Sequence, residues 1–398
     1  MAFGQAAYAY GSMVPEVEEM TEQILKWKFP VAKVSLSNAE MFVSVANHSL
    51  QEVLPQTFMY EIAGGCHLNR LSLLVELAKD FHGNKVPIDE CFRRLDEIHC
   101  SPHPFNFLSQ AASFIMVGAG LSPVLGGSWY DVPISAVASV MVFILSVVIP
   151  KVPPFLSFLQ RCDTFILAFC AGTLAAVARI WAPQVNHTLV TLSALAIPLP
   201  GWTVTAGVAE ITWSRTTAGI AHLVAGIICL GWLVLGGWVG HVFVDSVASL
   251  PPAEYADPIP MVWQALWIPL LATGLPIAFQ SSYRDILWII LLEGGTYGLN
   301  YGFSQVTDSN FGTFFSTFFA TMLANVWSRH LERPATMVLL PVLVFQVSGS
   351  IGFRGLVTLI DGETELGVEQ VTQMFYTALV IIVGLVAGNA FVPSRSVL

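Results

Sequence analysis

Three ionisable side chains stand inside or beside long apolar runs: Glu293 in Leu291-Leu292-Glu293-Gly294-Gly295, Arg354 between Phe353 and Gly355, and Glu210 after Val208-Ala209. A carboxylate in such surroundings can relay a proton or pair with a cation, which assigns Glu293, with Glu210, to ion coupling. An arginine can take a carboxylate through two parallel N–H bonds, which assigns Arg354 to a substrate. Arg354 lies in a run that helix-breaking residues interrupt, and Glu210 directly follows another. Pro198, Pro200, Gly201 and Gly207 break residues 188–209, and Ser348, Gly349, Ser350, Gly352 and Gly355 break residues 335–359. Proline removes a backbone donor and glycine loosens a helix. Unwound backbone at membrane depth is tolerated only against protein or a water-filled cavity, where half-helix ends offer N–H groups to anions and C=O groups to cations. The expected substrate site is therefore Pro200, Gly201, Thr203, Thr205 and Gly207 with Ser348, Gly349, Ser350, Gly352 and Arg354, the hydroxyls orienting the solute. His222 and Asn325 read as hydrogen-bonding core residues.

The elements that must position these residues follow from charge distribution. The chain of 398 residues is 55% hydrophobic and 11% charged, with mean hydropathy +0.67, whereas soluble domains carry about a quarter charged residues. Residues 1–104 hold 8 Lys/Arg and 13 Asp/Glu, and residues 105–398 only 9 and 14. A soluble N-terminal domain thus precedes a polytopic membrane region. A spanning helix needs about 20 mostly apolar residues, and ten stretches qualify: 105–125, 132–150, 163–181, 188–209, 217–244, 261–280, 286–302, 311–328, 335–359 and 371–392. Alternating them puts 15 of the 17 Lys/Arg on the side of the N-terminus and leaves Arg179 and Arg354 opposite. By the positive-inside rule both termini are cytoplasmic, in a plasma or organelle membrane. No secretory signal is legible, since Glu16, Glu18, Glu19 and Glu22 occupy the place of its apolar core.

The Pro-rich loop 245–260 divides the membrane region into 105–244 and 261–398, five spans each. Gly120-Leu121…Asp131-Val132 matches Gly274-Leu275…Asp285-Ile286 at an offset of 154, and the stretch from Gly201 to Gly207 matches Gly349 to Gly355 at 148. A unit with an odd number of spans inserts the opposite way round when repeated, so two inverted five-helix repeats are expected, as in many secondary transporters. Asp131 and Asp285 should cap helices at the equivalent turns.

Residues 1–104 read as a small cytoplasmic α+β domain. A helix is expected over 15–28, strands over 31–36, 41–46 and 58–62, and helices over 67–81 and 87–98. The domain carries no phosphate-binding loop, and the spacing of its cysteines and histidines matches no metal site. Neither an activated nucleophile nor paired acids with metal ligands occur in the spans, so an enzyme, a cofactor and a resident metal are not expected. The net charge of −10 argues against nucleic acid.

Four stretches resemble the threonine/serine exporter family and its fungal pheromone-regulated relatives. Gly11–Leu25 is similar to the opening Gly-x4-Arg-x-Glu helix. Gly65-Cys66-His67-Leu68-Asn69-Arg70-Leu71 and Leu95-Asp96-Glu97-Ile98 resemble the family's next segment. Ile197–Glu210 resembles its Pro-Gly break and Arg333–Leu356 its second break. Glu16 stands where the motif has Arg, and Ser348 where it has Pro. The resemblance implies export of a small hydroxy amino acid, or of a dicarboxylate, coupled to a proton or another ion, across a lipid bilayer and with a homo-oligomer as an option. The rival reading is a receptor or scaffold that transports nothing.

Overall fold

The computed structural model describes residues 2–26, 29, 31–37, 40–46, 56–61, 65–83, 85–153, 157–346 and 349–393. The N-terminal part comprises α1 (Ala2–Ala9), α2 (Val14–Lys26), β1 (Val31–Ser37), β2 (Glu40–Ala46), β3 (Gln56–Glu61), α3 (Leu68–His82) and α4 (Ile88–Cys100). The strands form one antiparallel sheet in the order β1-β2-β3, with Val34 opposite Val43 and Val43 opposite Phe58. Alternation puts Ala32, Val34, Leu36, Met41, Val43 and Val45 on the buried face. Where they are described, the sheet and helices agree with the sequence expectation to within a few residues, whereas α1 is not part of it; Trp27, Lys28 and Ile62 of the expected elements lie outside the described residues.

Then follow α5 (Phe107–Val124), α6 (Asp131–Val148), α7 (Ser157–Arg161), α8 (Asp163–Trp181), α9 (His187–Ala194), α10 (Gly201–Thr212) and α11 (Thr216–Ala248). The second half holds α12 (Met261–Ala278), α13 (Ile286–Val306), α14 (Ser309–Leu331), α15 (Thr336–Phe345), α16 (Gly349–Ile360) and α17 (Thr364–Phe391). Among the described residues seven helical stretches are long and apolar enough to cross a membrane: α5, α6, α8, α11, α12, α17 and Thr336–Ile360, which takes in α15 and α16. Helices occupy all ten stretches expected from the sequence, but three do not qualify by length and hydropathy. In one, α9 and α10 are separately too short, with Pro198 and Pro200 in the gap between them. The other two, α13 and α14, are too polar on average. Their polarity is turned inward: Glu293 and Thr296 on α13, and Thr313, Ser316, Thr317, Thr321 and Asn325 on α14, are buried.

Small residues set the helix contacts, as expected where lipid offers no hydrophobic drive between helices. A Cβ on Gly207 would lie 2.8 Å from both Gly219 O and Leu223 N, and one on Gly355 2.9 Å from Val371 N. A Cβ on Gly219 would meet Gly207 O and Ile211, and one on Gly367 would meet Gly355 O and Leu359. Each of 207, 211, 219 and 223 is separated by 148 from its counterpart among 355, 359, 367 and 371. Gly120 packs on Leu271 and Gly274 on Val117, a reciprocal contact at offset 154.

Asp131 and Asp285 stand at the starts of α6 and α13, but neither side chain caps its helix. The Asp131 carboxylate accepts from Asn186 N at 2.8 Å, and Asp285 takes both oxygens to Arg333 at 2.7 and 2.9 Å. Each aspartate thereby ties its turn to the start of a broken stretch. The N-terminal part shares one apolar core with α13, α14, α15 and α17. Polar ties reinforce it: Arg215 pairs with Glu18 at 2.5 Å, and Leu68 N and Asn69 N donate to the carbonyls of Phe279 and Gln280.

Overpacking a tight interface costs about 1–3 kcal/mol. Gly355→Leu is therefore expected to lower the unfolding temperature of the detergent-solubilised protein. Gly298→Ala, where a Cβ meets nothing within 4 Å, should hold or raise it. Equal responses of the two variants in a thermal-shift measurement would show that the close approach carries no stability.

Candidate functional site

The chain stops being helical after Ala194, and α10 begins at Gly201, with Pro200 in the N-cap position. The second interruption follows α15, whose C-cap is Gln346, and α16 begins at Gly349. Ser348 lies outside the described residues. Gln346 is held by α14: Thr317 Oγ1 donates to its Oε1 at 2.6 Å, and its Nε2 donates to Ser316 Oγ at 3.1 Å. The two helix starts face each other directly. A Cβ on Gly349 would lie 3.0 Å from Gly201 Cα and 2.9 Å from the Leu199 side chain, so position 349 needs the smallest residue for this approach.

Beyond the start of α10, residues 202, 205, 206, 209 and 213 recur at helical spacing on one face and line a cavity of about 470 Å3. The opposite face carries Val204 and Gly207 and packs against α11. Thr203, Thr205 and Glu210 of the expected residues line the cavity, joined by His222 of α11 and by Tyr8 from the N-terminal segment. Thr205 Oγ1 is buried without a hydrogen-bond partner among the described residues. Glu210 Oε2 lies 2.7 Å from His222 Nδ1, and His222 Nε2 lies 2.9 Å from the Tyr8 hydroxyl. Burial and the nearby Glu210 push the Tyr8 phenol up to about 12, so it stays protonated and donates to Nε2. His222 then carries its proton on Nδ1 and donates to Glu210. The three groups form one relay from the N-terminal segment to α10.

Local folding places Tyr8 there. A Cβ on Gly4 would lie 2.6 Å from Thr21 Oγ1 and 2.8 Å from Met41 Sδ, so α1 seats closely on α2 and the sheet. Gly11, at φ 104°, turns the chain from α1 into α2 in a conformation that suits glycine. Gly11, Ser12 and Met13 of this turn also line the cavity.

The remaining expected residues lie elsewhere. Gly207 and Gly352 pack against neighbouring helices, Gly352 meeting Met374 and Leu230. Ser350 is half-buried in the first turn of α16. Arg354 donates from Nη2 to the carbonyl of Leu125, the residue that ends α5, at 2.8 Å, and it does not line the cavity. A cation suits that place, because a helix C-terminus carries partial negative charge. Glu293 is fully buried on α13, with neither carboxylate oxygen hydrogen-bonded among the described residues, and it too lies outside the cavity lining. Sequence reasoning read His222 only as a core residue and did not reach Tyr8. The available signal was the short run Ala6-Ala7-Tyr8 before a Gly11 turn, too brief to stand out as a helix. No group of three or more His, Cys, Asp or Glu able to hold a metal occurs among the described residues.

Comparison with known proteins adds an independent line. Residues 1–244 match a family model described as "Putative threonine/serine exporter", and residues 264–391 match a second, "Threonine/Serine exporter, ThrE". The chain is 22% identical to pheromone-regulated membrane protein 10 of Yarrowia lipolytica over 374 residues, covering 88% of this chain and 29% of that one. It is 22% identical to the "Probable threonine/serine exporter" of Mycobacterium tuberculosis over 344 residues, covering 81% and 62%. An uncharacterized protein of Schizosaccharomyces pombe is 24% identical over 303 residues, covering 72% and 39%. The chain thus spans less than half the length of these fungal relatives. No solved structure matches it. With the first family model covering more than half of its length, this membrane protein belongs to the threonine/serine exporter family.

Proposed function

We propose that the chain is a secondary transporter that exports a small hydroxy amino acid of the threonine/serine type by proton-coupled alternating access. The observation that carries this reading is the single cavity in which the hydroxyls of a broken helix, a carboxylate–imidazole pair and a phenol converge. A zwitterion suits such a lining. Glu210 takes the ammonium, and the free N–H groups in the first turn of α10 favour the carboxylate. Thr203 and Thr205 take the hydroxyl, and a bound solute satisfies the Thr205 oxygen that otherwise lacks a partner. A dicarboxylate fits less well, because Glu210 would repel it. Arg354, committed to the Leu125 carbonyl, holds α5 rather than the solute in this conformation.

The membrane part is taken as ten spans forming two inverted five-helix repeats, with both termini and the α+β part cytoplasmic. The contacts that recur at a separation of 148 residues, the reciprocal Gly120–Leu271 and Gly274–Val117 pair, and the meeting of Gly201 with Gly349 all support it. Alternating access then consists of one repeat rocking against the other about the two breaks. A proton on the Glu210–His222 pair competes with the substrate ammonium, which couples loading of one to release of the other. Glu293, buried on the polar face of α13, is the second proton carrier.

In vesicles reconstituted with the full chain, labelled threonine and serine are expected to leave faster than succinate. Losing the charge at Glu210 in Glu210→Gln should cut that efflux by at least about tenfold. No efflux of any of the three solutes from wild-type vesicles would sink the transporter reading.

Glu293→Gln is expected to retain efflux down a concentration gradient while losing the acceleration that a pH gradient provides. If that acceleration persists unchanged, coupling belongs to Glu210 and His222 alone.

A further inference from the structure

A second chamber of about 300 Å3 adjoins the central one, sharing Met13, Trp213 and Leu385 with it. Its charged lining consists of Glu16 and Glu19 from α2 and Arg215 from the link between α10 and α11. The elements that close it elsewhere contribute uncharged polar groups: Asn325 of α14, Thr336 of α15 and Asn389 of α17. Glu16 has no cationic partner among the described residues. Its carboxylate accepts from Thr336 Oγ1 at 3.2 Å and from the Met13 backbone amide, both neutral donors. Arg215 pairs with Glu18 through Nη2, but a guanidinium has five N–H donors and one carboxylate oxygen does not exhaust them. The chamber therefore offers an uncompensated carboxylate and a partly used guanidinium to the same small volume.

We propose that this chamber is an access site for zwitterionic amino acids, which hold their ammonium on Glu16 and their carboxylate on Arg215 before passing Met13 and Trp213 into the central cavity. The inference rests on the transporter reading above and extends it. It makes Glu16 a residue that selects for a free ammonium group on the side of the N-terminal segment. A purely structural role predicts otherwise. Glu16 is the third residue of α2, and its contact to Met13 resembles the returning half of a capping box, in which glutamine serves as well as glutamate. Glu16→Gln thus preserves the cap and the Thr336 contact and removes only the charge.

Desolvation outweighs the two hydrogen bonds and pushes the Glu16 carboxyl up to about 7. The group is neutral below that pH and ionised above it, so the affinity for an ammonium on this side should rise as pH increases through about 7. The test uses full-length protein in vesicles, loaded with L-serine, L-threonine or L-lactate at graded pH on the side of the N-terminal segment. For wild type, KM for serine and threonine on that side should fall with rising pH, while lactate, lacking the ammonium, should be a poor substrate at every pH. Glu16→Gln should raise KM for serine about tenfold at pH 8 and flatten its pH profile. Serine efflux with an unaltered KM and pH profile in Glu16→Gln, or efficient lactate efflux by wild type, overturns the access site and leaves the transporter reading standing. Absence of efflux for all amino acids overturns both.

Discussion

Hydrocarbon supplies no hydrogen-bond partner, so every place where a helix stops inside the apolar region must be enclosed by protein. Two such places, after Ala194 and after Phe345, organise much of the rest of the molecule. The helices that restart beyond them begin at Gly201 and Gly349, and these glycines touch. Two positive helix ends brought together repel each other and invite an anionic group. The flanking structure resists that repulsion. Asp131 and Asp285 tie down the starts of the broken stretches, and Ser316 and Thr317 grip Gln346 at the edge of the second break. The close glycine contacts of α10 on α11 and of α16 on α17 hold each restarted helix against a long neighbour.

What the sequence made legible is what depends on local composition. Apolar run length located helices at all ten stretches, alternation located the strands, and Pro198, Pro200 and the glycine cluster marked the interruptions. Partnerships across the fold were less accessible. Arg354 reads as a substrate ligand because it is a rare cation in an apolar run, yet its partner is a carbonyl 229 residues away at the end of α5. Asp131 and Asp285 read as caps because they precede apolar runs, and instead they bond to groups about 50 residues downstream. Tyr8 could not be found from spacing at all, since it meets His222 across 214 residues. Gly207, Gly352 and Gly355 illustrate a different limit. Glycine at a break and glycine at a helix contact look alike in one dimension, and only the neighbour within 3 Å tells them apart.

The polarity of α13 and α14 shows the same limit from the other side. Mean hydropathy treats a helix as uniform around its axis, whereas their serine, threonine, asparagine and glutamate side chains are gathered on the buried face. Polar residues turned inward remove one cost, exposure to lipid, and raise another, the need for partners within the bundle. Ser316 and Thr321 of α14 meet that need by donating to carbonyls one turn back and Thr317 by donating to Gln346, and Asn325 donates to Asn389 and Val392. Glu293 on α13 and the Trp327 indole N–H on α14 have no partner among the described residues. A buried carboxylate left outside the hydrogen-bonded network contributes little to holding the helices together.

The hydrogen bonds joining Tyr8, His222 and Glu210 bring the N-terminal segment to the wall of the cavity. They link a residue of α1 to one of α10 through α11. Any motion of α10 relative to α11 that stretches the Glu210–His222 bond also changes what the imidazole offers to the phenol. Without α1 the ring would lose its Nε2 donor, and the cavity would lose the part of its lining that Tyr8 supplies. A proton on His222 makes both ring nitrogens donors, which strengthens the bond to Glu210 and forbids the one from Tyr8. The protonation state of the ring and the seating of the N-terminal segment thus meet at one imidazole. In a chain with so few charges in its apolar region, that linkage needs no additional charged residue.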